Sequence, residues 1–140
     1  MRYSFHKKER LCSRKLIEKL FSSGEAVLVY PFRVLYLLLP TTDDIQLQVL
    51  FSVPKKRFKR AVKRNLIRRR AKEAFRLNKH LLYEHIPKDH KLLMAFIYID
   101  ENIQLYDVIK KGIIRGFEKI NVSNAKTNSN RITNSVGRKK

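Results

Sequence analysis

Between Lys55 and Arg76 the chain sets twelve Lys and Arg residues against a single acid, Glu73, a local charge of +11. The stretch from Lys59 to Asn78 holds no Gly or Pro and is rich in Arg, Lys, Ala and Leu, which predicts a helix. At 100° per residue Ile67, Ala71, Ala74 and Phe75 share one arc, the side that should face a core. Asn65, Arg69, Lys72 and Arg76 fall on a neighbouring arc with Arg68 at its edge, and Lys59, Lys63 and Arg70 take the far side. Any fold for this chain must therefore bury a narrow stripe of this helix and leave the rest cationic. The like-charge pairs Lys59/Lys63, Arg60/Arg64, Arg64/Arg68 and Arg68/Lys72 would each cost an isolated helix about 0.2–0.5 kcal/mol. Tertiary packing can carry that cost, but a polyanion that neutralises it is the simpler explanation. A merely solvated helix face normally mixes both signs, and this one barely does. Arg outnumbers Lys in the middle of the run, and the guanidinium fork makes bidentate contacts to phosphate that an ammonium cannot.

The rest of the chain argues for a folded domain rather than a disordered polycation. Its 140 residues suit one domain, and 44% are hydrophobic despite a formal charge of +20. Nucleic acid is the first partner to consider, because each phosphate paired with Lys or Arg releases a condensed counterion. An anionic membrane is the second. No apolar run approaches the roughly 20 residues needed to span a bilayer, and the first ten residues are too polar for a signal peptide. Cys12 stands alone, so it reads as a reduced thiol, small and half-buried, in a protein of the cytoplasm.

Hydrophobic periodicity places the remaining elements. Residues 1–10 form a basic arm. Ser13 can cap a short helix to about Ser22, in which Leu16, Ile17, Leu20 and Phe21 share helical spacing and Gly24 is the stop. Ala26 to Leu39 reads as a long strand, with Pro31 marking a break or an edge. From Phe32 on, Phe32, Val34, Tyr36 and Leu38 point one way, and Arg33, Leu35, Leu37 and Leu39 the other. Turn residues from Pro40 to Asp44 precede a second strand, Ile45 to Val53, so the two should form a hairpin. Leu92 to Ile99 is apolar enough for a central strand. Gln104 to Ile120 is a helix with Leu105, Ile109, Ile113 and Phe117 at i, i+4 spacing. From Asn121 the composition turns to Asn, Ser, Thr, Lys and Arg, a disordered basic tail over 121–140. The order predicts an α+β fold, a single-domain sandwich with helices packed on a small mixed sheet.

A protein active site is not legible. There is no Gly-rich phosphate loop, nucleophile triad or paired carboxylate motif. His80, His85 and His90 recur every five residues, which does not stack them on a helix face, so no metal site is expected.

The segment Ala61-Val62-Lys63-Arg64-Asn65-Leu66-Ile67-Arg68-Arg69-Arg70-Ala71-Lys72-Glu73-Ala74-Phe75-Arg76 resembles the signature of the bacterial ribonuclease P protein component. Phe51-Ser52-Val53-Pro54-Lys55-Lys56 is similar to the strand that precedes it in that family, and Arg10-Leu11, Phe21 and Gly24 match its first helix in spacing. The likeness runs in order from about residue 8 to 120. Three positions depart from it. Leu66 stands where a third basic residue is usual, Ile17 replaces an aromatic, and Gln48-Val49-Leu50 replaces an Arg-x-Gly.

The resemblance implies an α-β sandwich with a left-handed crossover, similar to a domain of ribosomal proteins, spanning residues 11–120. It implies that the chain is the subunit of an endonuclease that removes the 5′ leader of precursor tRNA, with the chemistry and its Mg²⁺ in a catalytic RNA. The RNA would be met by Lys55, Lys56, Lys59, Arg60, Lys63, Arg64, Asn65, Arg68, Arg69, Lys72 and Arg76. A cleft between the first helix and the sheet, with Ile17, Phe21, Phe32 and Tyr36, would take the single-stranded leader. Aromatic rings suit unpaired bases because stacking tolerates any sequence, although Tyr36 shares its strand face with Phe32, Val34 and Leu38, which is also how a core residue sits. No protein partner is implied. A ribosomal or RNA-chaperone type binding module is the alternative. Membrane-surface binding ranks last, because the apolar arc of the basic helix is narrow.

Overall fold

A computed structural model describes the backbone of residues 7–134 and the side chains of residues 7–120. After a 3₁₀ turn at Lys7–Glu9 come α1 (Arg14–Ser23), β1 (Glu25–Val29), β2 (Phe32–Pro40), β3 (Leu47–Ser52), α2 (Ala61–Asn78), α3 (His80–Tyr83), β4 (His90–Tyr98) and α4 (Tyr106–Asn134). This is the expected α+β fold, with a four-stranded mixed sheet in the order β1-β2-β4-β3.

Local chemistry accounts for the first elements. The Ser13 hydroxyl accepts from the Leu16 N–H and caps α1. At the other end the Gly24 N–H donates to Leu20 O at 2.8 Å. A Cβ on Gly24 would lie 2.4 Å from that carbonyl, so no other residue fits. The long strand expected over 26–39 is two strands. The chain folds back at the cis Tyr30–Pro31 bond, and β1 pairs with β2 antiparallel, Val29 opposite Phe32. Gly112 of α4 packs on this turn, where a Cβ would meet Pro31 Cδ at 2.7 Å and Tyr30 O at 2.8 Å.

The hairpin expected between β2 and β3 does not form. Strand β4 lies between them, antiparallel to β2 and parallel to β3. The reason is burial. Leu92 to Phe96 are inaccessible to solvent, and so apolar a strand gains most when neighbours cover both of its edges. The connection from Pro40 to Leu47 easily spans the roughly 10 Å between alternate strands. Helices α2 and α3 then form the crossover from β3 to its parallel neighbour β4.

The sheet is covered on both faces. On one, Phe32, Val34 and Tyr36 of β2 and Met94, Phe96 and Tyr98 of β4 pack with Ile67, Ala71, Ala74 and Phe75 of α2 and Ile109, Ile113, Phe117 and Ile120 of α4. Edge-to-face rings link the layers, Phe51 to Phe75 at 5.8 Å and Phe75 to Phe117 at 5.9 Å between centroids. On the other face Leu20 of α1 packs on Leu35, Leu37, Leu93 and Ala95, with Leu11 beside it.

Three expectations change here. Leu105 precedes α4 and is exposed, so the buried stripe of that helix begins at Ile109. Cys12 is exposed, not half-buried. Lys7 to Arg10 of the basic arm lie against the sheet. Arg10 forms a parallel bridge with Val49, and the Leu11 N–H donates to Val49 O at 3.0 Å. This segment covers the outer edge of β3, which would otherwise present unpaired backbone groups. Residues 1–6 of the expected arm and 135–140 of the expected tail lie outside the described residues, as do the side chains of 121–134. The helical backbone of α4 continues to Asn134, past the end expected at Ile120.

Candidate nucleic-acid interface

Helix α2 sits where the charge pattern predicts. Ile67, Ala71, Ala74 and Phe75 are its buried residues, and they are the four that share the apolar arc. The cations are turned outward by the same rotation. Lys63, Asn65 and Arg69 are exposed, while Arg64, Arg68, Lys72 and Arg76 are partly covered. Before the helix, Lys55, Lys56, Arg57, Lys59 and Arg60 are exposed around the buried anchor Phe58.

Several of these side chains are held in place. Arg64 Nη1 donates to the carbonyls of Phe58 and Lys59, each at 2.8 Å, and pins the 55–60 loop to the helix. The Asn65 Oδ1 accepts from Arg68 Nη2 at 2.5 Å, which gives that mid-helix Asn the role of orienting a guanidinium. Arg76 grips Glu73 with two nitrogens, at 3.0 and 2.6 Å. This contact holds the Glu73 carboxyl below its ordinary range, and it engages the Arg76 guanidinium at the surface. The charge that the one acid of the run could offer is thereby taken up within the helix. Arg70 turns away from this surface and donates to the Gln104 carbonyl.

Arg10 stands near these cations as well. The Lys72 ammonium is pushed below its ordinary range, first by partial burial, then by the charges of Arg10 and Arg68. Arg10 therefore belongs to the same positive surface. Its neighbourhood depends on residues 7–11 covering β3, which no local pattern announces.

The four residues expected in a leader cleft do not converge. Ile17 and Phe21 are on α1, Ile17 packed at the edge of the α1-side cluster and Phe21 half exposed. Phe32 and Tyr36, exposed by only 2% and 3%, belong to the opposite core, against α2 and α4. Phe32 packs edge-on against Phe96 at 5.5 Å and Tyr98 at 5.7 Å. The Tyr36 hydroxyl donates to Glu25 Oε1 at 3.2 Å. Strand alternation decides the matter: the residues of β2 on the α1 side are Arg33, Leu35 and Leu37.

On that side a row of paired residues, Leu28, Arg33, Ile97 and Ser52, crosses all four strands. Leu28 and Arg33 are exposed and Ile97 is half-buried. Here a cavity of about 590 Å³ opens, lined by Arg33, Pro54, Lys56, Arg57, Ile97, Tyr98, Ile99 and Glu101. Three cations, Arg33, Lys56 and Arg57, and one acid, Glu101, stand around Pro54, Ile97, Tyr98 and Ile99. The signal in the sequence was Arg33, a cation on an otherwise apolar strand face. Among the described residues no three His, Cys, Asp or Glu side chains gather as a metal-ligand set, and no helix is long and apolar enough to cross a membrane.

The family model described as Ribonuclease P matches residues 5–104. The ribonuclease P protein component of Porphyromonas gingivalis is 35% identical over 119 residues, covering 84% of this chain and 87% of that protein. That of Chlorobaculum tepidum is 42% identical over 59 residues, covering 39% of this chain and 38% of its own. Among solved structures, the RNase P protein from Thermotoga maritima superposes with a TM-score of 0.59 at 20% identity, over 79% of this chain and 96% of that one. A Staphylococcus aureus RNase P protein gives 0.57 at 20% identity, over 80% and 94%. The structural matches establish the shared fold; the family match and the Porphyromonas gingivalis match reach across α2 and its flanks.

Proposed function

The chain belongs to the ribonuclease P protein family, and from that premise we propose that it is the protein subunit of a ribonucleoprotein that removes the 5′ leader from precursor tRNA in the cytoplasm. Helix α2 and the loop before it lie against the catalytic RNA. Lys55, Lys56, Lys59, Arg60, Lys63, Arg69 and Lys72 meet phosphates, Arg68 does so as oriented by Asn65, and Arg64 fixes the loop that presents them. The leader runs along the α1 side of the sheet, past Phe21 and the row containing Leu28 and Arg33, into the cavity beside Lys56 and Arg57. Phe21 offers a ring for stacking, worth about 1–3 kcal/mol per base.

The observation that carries this reading is the outward side of α2. It is cationic along its length, and its single carboxylate is already bound by Arg76. Such a surface supplies electrostatic affinity for ribose-phosphate without sequence readout. We assign the Mg²⁺ of this phosphodiester hydrolysis to the RNA partner and route no step of it through this chain. The chain's own work is to screen phosphates and hold the single-stranded segment beside the scissile bond.

The test is reconstitution. The purified chain alone leaves precursor tRNA uncut, and added to the cognate RNA it restores cleavage at low Mg²⁺. Cleavage by the chain without RNA contradicts the proposal. Ribosomal RNA, rather than one catalytic species, co-purifying with the tagged chain returns the protein to the class of plain RNA-binding modules.

A further inference from the structure

A charged group is buried between the segment before α1 and the end of α2. Glu9 and Lys79 are only 5% and 6% exposed. Lys79 Nζ donates to Glu9 Oε1 at 2.7 Å, and the Tyr83 hydroxyl donates to Glu9 Oε2 at 2.5 Å. Burial, and then the neighbouring carboxylate, push the Tyr83 phenol upward, so it stays a donor. Removing two ions from water is expensive, and an apolar pair of similar size would often hold as well. The contact does one specific thing in this fold. It ties the segment before α1 to the junction of α2 and α3.

Its neighbours show what is gained. Lys79 lies seven residues after Lys72, two helical turns on, hence on the same side of the helix and about 10 Å along its axis. Gln48 Nε2 donates to Lys8 O at 3.1 Å, and Arg10 pairs with Val49, so residues 8–11 run along β3 with Arg10 exposed. Arg68 is held one turn before Lys72 by Asn65. We propose that Arg10, Arg68 and Lys72 form one phosphate-binding site for structured RNA, and that the buried Glu9–Lys79–Tyr83 contact is the device that holds Arg10 in it. The electrostatics of Lys72, on which both arginines act, agree with three cations converging from two elements remote in sequence. Cations gathered on one surface repel one another, and a bound phosphate relieves that repulsion. The proposal rests on the reading of α2 as the RNA-facing surface and adds the strap before α1 to it.

The test is the salt dependence of binding to the transcribed ribonuclease P RNA of the same genome, measured with the full chain. Arg10→Ala flattens the log–log slope by about one unit, and Arg10→Lys restores it. The double variant E9A/K79A keeps the net charge and keeps Arg10, yet loses the same unit, and adding R10A to it changes nothing further. Should E9A/K79A fail to fold by circular dichroism, E9Q takes its place. That variant raises the net charge by one, so a flatter slope supports the tether and a steeper one overturns it. A wild-type slope in R10A overturns the site, and a wild-type slope in folded E9A/K79A overturns the tether. R68A/R69A separates the two levels. If it flattens the slope while R10A does not, only the present inference falls; if it too leaves the slope alone, the reading of α2 falls with it.

Discussion

The outward side of α2 and the α1 side of the sheet, the two surfaces we propose for RNA, are built by different means. The surface of α2 is a property of one element. Its cations are local in sequence, and one helical rotation both buries Ile67, Ala71, Ala74 and Phe75 and exposes Lys63 and Arg69. The sheet surface is a property of strand order. Leu28, Arg33, Ile97 and Ser52 become a row only because β4 inserts between β2 and β3. A helix thus carries its interface in its own periodicity, whereas a sheet acquires one from partners that are distant along the chain.

The largest effect that can break this contrast concerns Phe32. As a core residue against Phe96 and Tyr98, Phe32→Ala should cost about 3–5 kcal/mol of folding stability, read by urea denaturation. Weakened leader binding with unchanged stability would put Phe32 back in the cleft. Next comes Phe21→Ala. This half-exposed ring should lose about 1–3 kcal/mol of affinity for precursor tRNA, with binding of mature tRNA and of the catalytic RNA unchanged. An equal loss for both tRNAs removes the α1 side as the leader track. A smaller effect sharpens the α2 side. Because Arg76 is engaged by Glu73 on the surface, Arg76→Ala should lower RNA affinity less than Arg69→Ala does, and should change stability by less than about 1 kcal/mol.

A pH limit belongs to the core that separates the two surfaces. Burial raises the Tyr98 phenol to about 12, and its hydroxyl donates to Asn102 O and accepts from Gln104 N. The folded state therefore favours the protonated phenol. This contribution is complete below the unfolded value near 10 and is lost as pH rises from there through about 12. Tyr98→Phe should reduce the fall in stability over that window. A full alkaline fall in the variant assigns it to other groups.

The same contrast explains how much was legible. The buried arc of α2, the alternation of β2 and the cap at Ser13 follow from spacing of a few residues, and they were read correctly. The β2–β3 hairpin was not, because turn residues at 40–44 fit a hairpin and a longer connection equally well; only the burial of β4 decides. Likeness places Phe32 and Tyr36 in the cleft and alternation gives their strand face, but which helix covers that face is a tertiary fact. The place of Arg10 near α2 is not legible for the same reason, since it depends on Glu9 reaching Lys79, seventy residues away. Asn65, unpromising as a helix former, gains its meaning only when Arg68 is seen beside it.

One measurement addresses the central claim directly. A photo-crosslinking residue in place of Lys63, exposed on the outward side of α2, is irradiated in cell extract and the attached RNA is sequenced. The account predicts that the crosslinks concentrate at a few sites of a single catalytic RNA. Crosslinks spread across ribosomal RNA, or their absence from RNA altogether, would contradict it.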